Sequence, residues 1–144
     1  MITLIVVGKV KEKNIVTLIS EYEKRLSNKK IKLIEIKDSN KEKENLELMK
    51  KINLIKDSFV IALSEDGNSV SSREFSKLLK KEQDKNIVFV IGGPDGLTKE
   101  LKTKSDYLLS LSKMTFTHEM ARYLLYEQLY RSYSILEGKK YHRE

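Results

Sequence analysis

The sequence lacks cysteine and tryptophan, and it has one proline and six glycines in 144 residues. Without cysteine there is no disulfide scaffold, no thiolate metal site and no thiol nucleophile. The near absence of proline and the modest glycine content exclude a collagen-like fibre, and 40% hydrophobic content excludes wholesale disorder. No apolar run approaches membrane-spanning length. The opening Met1–Val7 is too short to span and carries no basic n-region. These features predict a cytoplasmic protein with no membrane partner. The two histidines, His118 and His142, show no metal-ligand spacing, so no metal is expected.

What is abundant is charge. Twenty-eight basic against 21 acidic side chains leave a net charge of +7. An excess of that size fits a polyanionic partner, and it equally fits a solvated lysine-rich surface.

Strand-like and helix-like patterns alternate along the chain. Ile2–Val7 is a continuous run, mostly apolar and rich in β-branched residues, which reads as a strand buried on both faces. Ile15, Leu18, Ile19, Tyr22 and Leu26 recur at helical spacing, with Asn14 placed to cap. Strands are predicted over 31–36, 59–63, 87–91 and 107–111. Residues 38–45 contain no apolar side chain and read as a surface connection, and 64–68 reads as a turn. Ser71 followed by Glu74 is a capping box, Thr98 and Thr117 are placed as caps, and Gly138 is placed to stop the last helix. The alternation predicts a single α/β domain over 1–144, with a mostly parallel sheet and helices on both faces. Ligands in such sheets bind at the carboxyl ends of strands.

Three segments stand out. Gly92-Gly93-Pro94-Asp95-Gly96 follows a buried strand. It is neither a P-loop nor a dinucleotide fingerprint, and it serves either a ligand or an ordinary tight turn. Ser112–Thr117 mixes hydroxyls with Met114 and Phe116, a combination suited to an adenine ring or to a helix cap. The last helix carries Tyr123, Tyr126, Tyr130 and Tyr133 with leucines around much of its circumference, more than one stripe, which predicts cover by a second copy. The chain then ends Tyr141-His142-Arg143-Glu144: a stacking ring, an imidazole and a guanidinium, a set suited to RNA. Arg131 suits a phosphate or an i, i+4 ion pair with Glu127.

In this order and spacing, Val90–Gly96, Leu109–His118, Tyr123–Arg131 and Tyr141–Glu144 resemble the ribosomal RNA large subunit methyltransferase H family, a branch of the SPOUT methyltransferases. The resemblance spans essentially the whole chain. It implies a trefoil knot near the carboxyl end, S-adenosylmethionine as cofactor and a homodimer. It also implies methylation of N3 of a pseudouridine in the helix 69 loop of 23S rRNA, on assembled 70S ribosomes. Cofactor contacts would fall on Leu63, Gly92, Gly93 and Ser112, Lys113, Met114, Thr115, Phe116 and Thr117. Tyr141, His142 and Arg143 would be the catalytic group: stacking, proton acceptance and charge stabilisation. Arg131, Lys139 and Lys140 would contact RNA. The alternatives are a SPOUT enzyme with another target nucleotide and a non-catalytic ribosome-binding factor.

Overall fold

A computed structural model describes residues 1–144. Five parallel strands form one sheet in the order β2-β1-β4-β3-β5: β1 (Ile2–Val7), β2 (Lys32–Ile36), β3 (Ser58–Ser69), β4 (Asn86–Ile91) and β5 (Tyr107–Ser110). The helices are α1 (Lys13–Arg25), α2 (Lys41–Asn53), α3 (Ser72–Lys81), α4 (Lys99–Lys104) and α5 (His118–Leu136). The expected α/β architecture is thus what the chain adopts.

The central strands are apolar on both faces because both faces are covered. Leu4, Val6 and Phe89 pack with Ile19, Phe75, Leu79, Leu125 and Leu129, from α1, α3 and α5. Ile5, Val7, Val88 and Val90 point the other way, onto Leu48 of α2 and Leu97 and Leu101 at α4. Alternate residues of each strand serve opposite cores, so a near-continuous apolar run is the pattern required.

Helix starts follow local chemistry. The Ser71–Glu74 capping box is complete, and the Thr98 and Thr117 side chains accept from Leu101 and Met120 backbone N–H groups. Gly138 takes φ +71 just after α5. For α1 the cap is Glu12 rather than Asn14, its carboxylate accepting from the Asn14 N–H.

Two stretches differ from the sequence expectation. Only the first part of 38–45 is a connection, because α2 begins at Lys41 and Glu44 and Asn45 are buried. Their polarity serves internal hydrogen bonds rather than water. The expected turn at 64–68 is instead a bulge inside a long β3. Leu63 and Asn68 both face Leu109, so the residues between them loop out. Gly67 permits this, since a Cβ there would lie 2.8 Å from the Leu108 backbone.

α5 is fixed to the sheet by Arg122, whose side chain is 3% exposed. Its guanidinium donates to Glu35 at 2.7 Å, on β2, and to the Gly8 carbonyl at 2.8 Å, just past β1. Much of the α5 surface that the sequence assigned to a second copy is covered by the same chain. Tyr126 is buried, and Tyr123 and Tyr130 stack against Tyr22 of α1. Replacing Arg122 by Leu leaves the buried Gly8 carbonyl without its donor, while the exposed Glu35 returns to water. We expect a loss of about 2 kcal/mol, seen as a lowered urea midpoint at unchanged m-value.

Candidate functional site

The strand order reverses between β1 and β4, and a cavity of about 830 Å³ opens at the carboxyl ends of the strands on that side. Its walls are the start of α1 (Glu12, Ile15), the β3 bulge (Leu63, Ser64, Glu65), the turn after β4 (Ile91 to Leu97) and the segment from Leu111 into α5.

Each wall is held by identifiable bonds. The bulge is tied to the loop after β5 by Ser110, whose hydroxyl donates toward the Glu65 carbonyl at 3.2 Å and the Ser112 carbonyl at 2.9 Å. Ser112 in turn accepts from the Met114 N–H at 3.0 Å, which curls the loop. Glu119 accepts from the Glu12 N–H at 3.1 Å, joining the α1 and α5 walls. That bond holds the Glu119 carboxyl below the usual carboxylate range.

The glycine turn is shaped by its own protein neighbours. A Cβ on Gly92 would lie 2.9 Å from the Gly96 backbone, and one on Gly93 would lie 2.8 Å from the buried Glu44 carboxylate. Gly96 takes φ +78. From behind, Asn45 donates to the Gly96 carbonyl at 3.3 Å and accepts from the Thr98 N–H at 2.9 Å. Glu44 accepts from the Ser39 N–H at 2.9 Å. α2 therefore buttresses the turn, through residues that the sequence reading had assigned to a surface connection. Glu12, Ile15 and Glu65 were likewise missed. The run from Asp38 to Asn45 is wholly polar, so no local signal marked Glu44 and Asn45 as buried.

Of the sequence-derived candidates, the cavity gathers Leu63, Gly92, Gly93, Ser112, Met114, Thr115, Phe116 and Thr117. Lys113 is exposed beside it and does not line it. Met114 is 76% exposed and Phe116 39% exposed, so the cavity mouth is apolar. The cavity lining holds Glu12, Glu65, Asp95 and Glu119 and no lysine or arginine. That chemistry accommodates a ligand with an apolar, ring-bearing part and a positive charge.

Tyr141, His142 and Arg143 do not line this cavity. The tail folds back on its own chain, over α1 and α5. The Tyr141 and Tyr22 hydroxyls lie 2.8 Å apart, and Tyr141 packs edge-on against Tyr130. Burial, with help from the Tyr141 hydroxyl, pushes Tyr22 up to about 12. Arg131 stacks its guanidinium over the Tyr141 ring at 4.8 Å and approaches His142 Nδ1 at 3.1 Å. It also makes the expected ion pair with Glu127 at 3.1 Å. Glu144 pairs with Arg73 of α3. Lys139 pairs with Glu137 at 3.2 Å, whereas Lys140 and Arg143 are exposed and without ion pairs.

A family model described as "Predicted SPOUT methyltransferase" matches residues 1–142. The chain belongs to the SPOUT methyltransferase family. It is 44% identical to the "Ribosomal RNA large subunit methyltransferase H" of Caldicellulosiruptor bescii, over 99% of this chain and 100% of the relative. It is 43% identical to the protein of that name from Prochlorococcus marinus, over 98% of this chain and 94% of the relative. For that of Clostridium tetani the identity is 41%, over 99% of each. Among solved structures, a probable methylase family protein from Haemophilus influenzae superposes with TM-score 0.60 at 16% identity, over 99% of this chain and 70% of that one. The SpoU methyltransferase AviRb from Streptomyces viridochromogenes, in complex with AdoMet, superposes with TM-score 0.51 at 12% identity, over 91% of this chain and 57% of that one. These two share the fold with this SPOUT chain.

Replacing Asn45 by Ala leaves the Thr98 N–H and Gly96 carbonyl without their partner behind the turn. We expect a stability loss of about 2 kcal/mol. In amide exchange, the added mobility should be confined to the Gly92–Thr98 segment.

Proposed function

We propose that this chain is an S-adenosylmethionine-dependent methyltransferase of 23S rRNA. It acts at N3 of a pseudouridine in the helix 69 loop, on assembled 70S ribosomes in the cytoplasm. It does so as a homodimer of single SPOUT domains spanning 1–144, each knotted near the carboxyl end. The observation that carries the reading is the cavity at the strand ends, apolar at its mouth and lined by four carboxylates with no lysine or arginine. The near-full-length likeness to relatives named for large-subunit rRNA methylation supports the substrate class. The AdoMet found in a SpoU protein of the same fold is consistent with the cofactor.

The residues present fit that cofactor. Leu63, Met114 and Phe116 offer apolar surface to an adenine ring, and Ser112, Thr115 and Thr117 offer hydroxyls to its edge. Gly92 and Gly93, packed against the protein behind them, bring bare backbone to the cavity wall. Glu12, Glu65, Asp95 and Glu119 favour a cationic sulfonium over an anion. When bound, S-adenosylmethionine supplies an electrophilic methyl group for in-line transfer. The chain's own task is then positioning the nucleotide and removing a proton from N3.

In this reading the tail performs that task. Tyr141 stacks on the base, and Arg143, free of ion pairs, stabilises negative charge on the flanking carbonyl oxygens. Arg131 has only donors, so in the docked tail His142 Nδ1 is an acceptor and the imidazole proton sits on Nε2. His142 accepts the N3 proton once it turns away from Arg131. A tail that lines no part of its own protomer's cavity fits a site completed at a subunit boundary. Val16 and Leu18 on α1, each 42% exposed, supply apolar surface for such a contact.

Deletion of Tyr141–Glu144 tests the reading. The truncated protein should hold S-adenosylmethionine in calorimetry with affinity near that of the full chain. It should lose about 10²–10⁴-fold in methyl transfer to 70S ribosomes. Mapping the methylated nucleotide with the intact protein checks the target: label at any position other than a helix 69 pseudouridine refutes the specific assignment. Methylation at full rate without the tail refutes its catalytic role.

A further inference from the structure

The chain separates its charges around the cavity, and that separation assigns an RNA-docking surface. The cavity lining includes Glu12, Glu65, Asp95 and Glu119 and no lysine or arginine, a balance that disfavours phosphate. Positions next to the lining in sequence carry the opposite sign. Lys11 and Lys13 flank Glu12 on one wall, and Lys113 stands between Ser112 and Met114 on another. Lys9 begins the loop that carries Lys11 and Lys13. All four are exposed, and none is in an ion pair.

The lysine-bearing loop is held in place. The Gly8 N–H donates to the Ile36 carbonyl at 2.7 Å, and the Gly8 carbonyl accepts from Arg122 at 2.8 Å. The Glu12 N–H donates to Glu119 at 3.1 Å, and Glu12 caps α1. The loop after β5 is held by Ser110 and Ser112. Cations on pinned backbone hold their spacing before binding, so less order must be imposed on association. Two of the three basic residues first expected to contact RNA are engaged elsewhere: Arg131 with Glu127 and Lys139 with Glu137.

We infer that Lys9, Lys11, Lys13 and Lys113 form a cationic rim that grips the RNA backbone beside the cavity. This rests on the proposed rRNA substrate and adds where the phosphates bind. The acidic lining and basic rim sort the two reactants by charge, with the sulfonium at the cavity and the phosphodiester backbone beside it.

The test is a salt titration of binding to 70S ribosomes. Each phosphate contact contributes about 0.7–0.9 to the slope of log K against log salt. Changing all four lysines to glutamine should therefore reduce that slope by about 3. Ribosome affinity should fall at low salt, while S-adenosylmethionine affinity and melting temperature stay unchanged. The matched control changes four exposed lysines far from the cavity to glutamine: Lys56, Lys77, Lys80 and Lys81. A slope that falls equally in both variants, or in neither, overturns the rim. If the unaltered protein neither binds nor methylates ribosomes, the rRNA reading itself fails, and the rim with it.

Discussion

One buried guanidinium organises the working end of this protein. Arg122 reaches from α5 to the Gly8 carbonyl and to Glu35, fixing the helix across the ends of β1 and β2. The start of that helix carries Thr117, His118, Glu119 and Ala121, which wall the cavity. Its far end carries Tyr130 and Arg131, on which the tail docks. The cavity wall and the docked tail are therefore both referenced to the sheet through the same contact. A charge in so dry a position is costly unless fully engaged. Here a carboxylate and a carbonyl engage its two terminal nitrogens, Nε stays buried without a partner, and the loop it holds is the one that presents Lys9, Lys11 and Lys13.

The architecture was legible because the sheet is covered on both sides. β1 and β4 read as continuous runs rich in β-branched residues, which leaves no competing amphipathic interpretation, and Ser71, Thr98, Thr117 and Gly138 marked helix ends by local hydrogen-bonding chemistry. The glycine turn and the 112–117 loop were legible as parts of a site because their compositions are unusual. Residues whose role depends on distant partners were not. Glu44 and Asn45 look like solvated charge and amide in sequence. They are buried because the glycine turn, about fifty residues on, needs a rigid backing. The β3 bulge was mistaken for a turn for a related reason. Ser64 to Asn68 has turn composition, and only pairing with β5 draws its far end back into the sheet.

The tyrosine-rich face of α5 makes a similar point about surfaces. Its breadth exceeds what one sheet needs, yet part of the cover comes from Tyr22 and from the returning tail. A helix that looks over-furnished with aromatics in isolation is here the floor of an intramolecular groove. The groove is polar where it matters: paired hydroxyls of Tyr22 and Tyr141, and a guanidinium stacked on a ring. Such contacts hold a short terminal segment without burying enough apolar area to make its release prohibitive.

That balance bears on the catalytic role proposed for a tail that lies away from the cavity of its own chain. Arg131 engages Tyr141 through its face and His142 through Nδ1, while Glu127 keeps the guanidinium in place. The same Arg131 contact that docks the tail occupies the nitrogen that would otherwise be free to take a proton. Docked, His142 is committed as an acceptor to its own protomer, and Nε2 lies buried without a hydrogen-bond partner, 3.5 Å from Glu144. An unsatisfied polar atom in a dry position is a standing cost against the docked state. In the role proposed for the tail, leaving Arg131 is the step that opens Nδ1 to a proton, and the unpartnered Nε2 lowers the cost of that step.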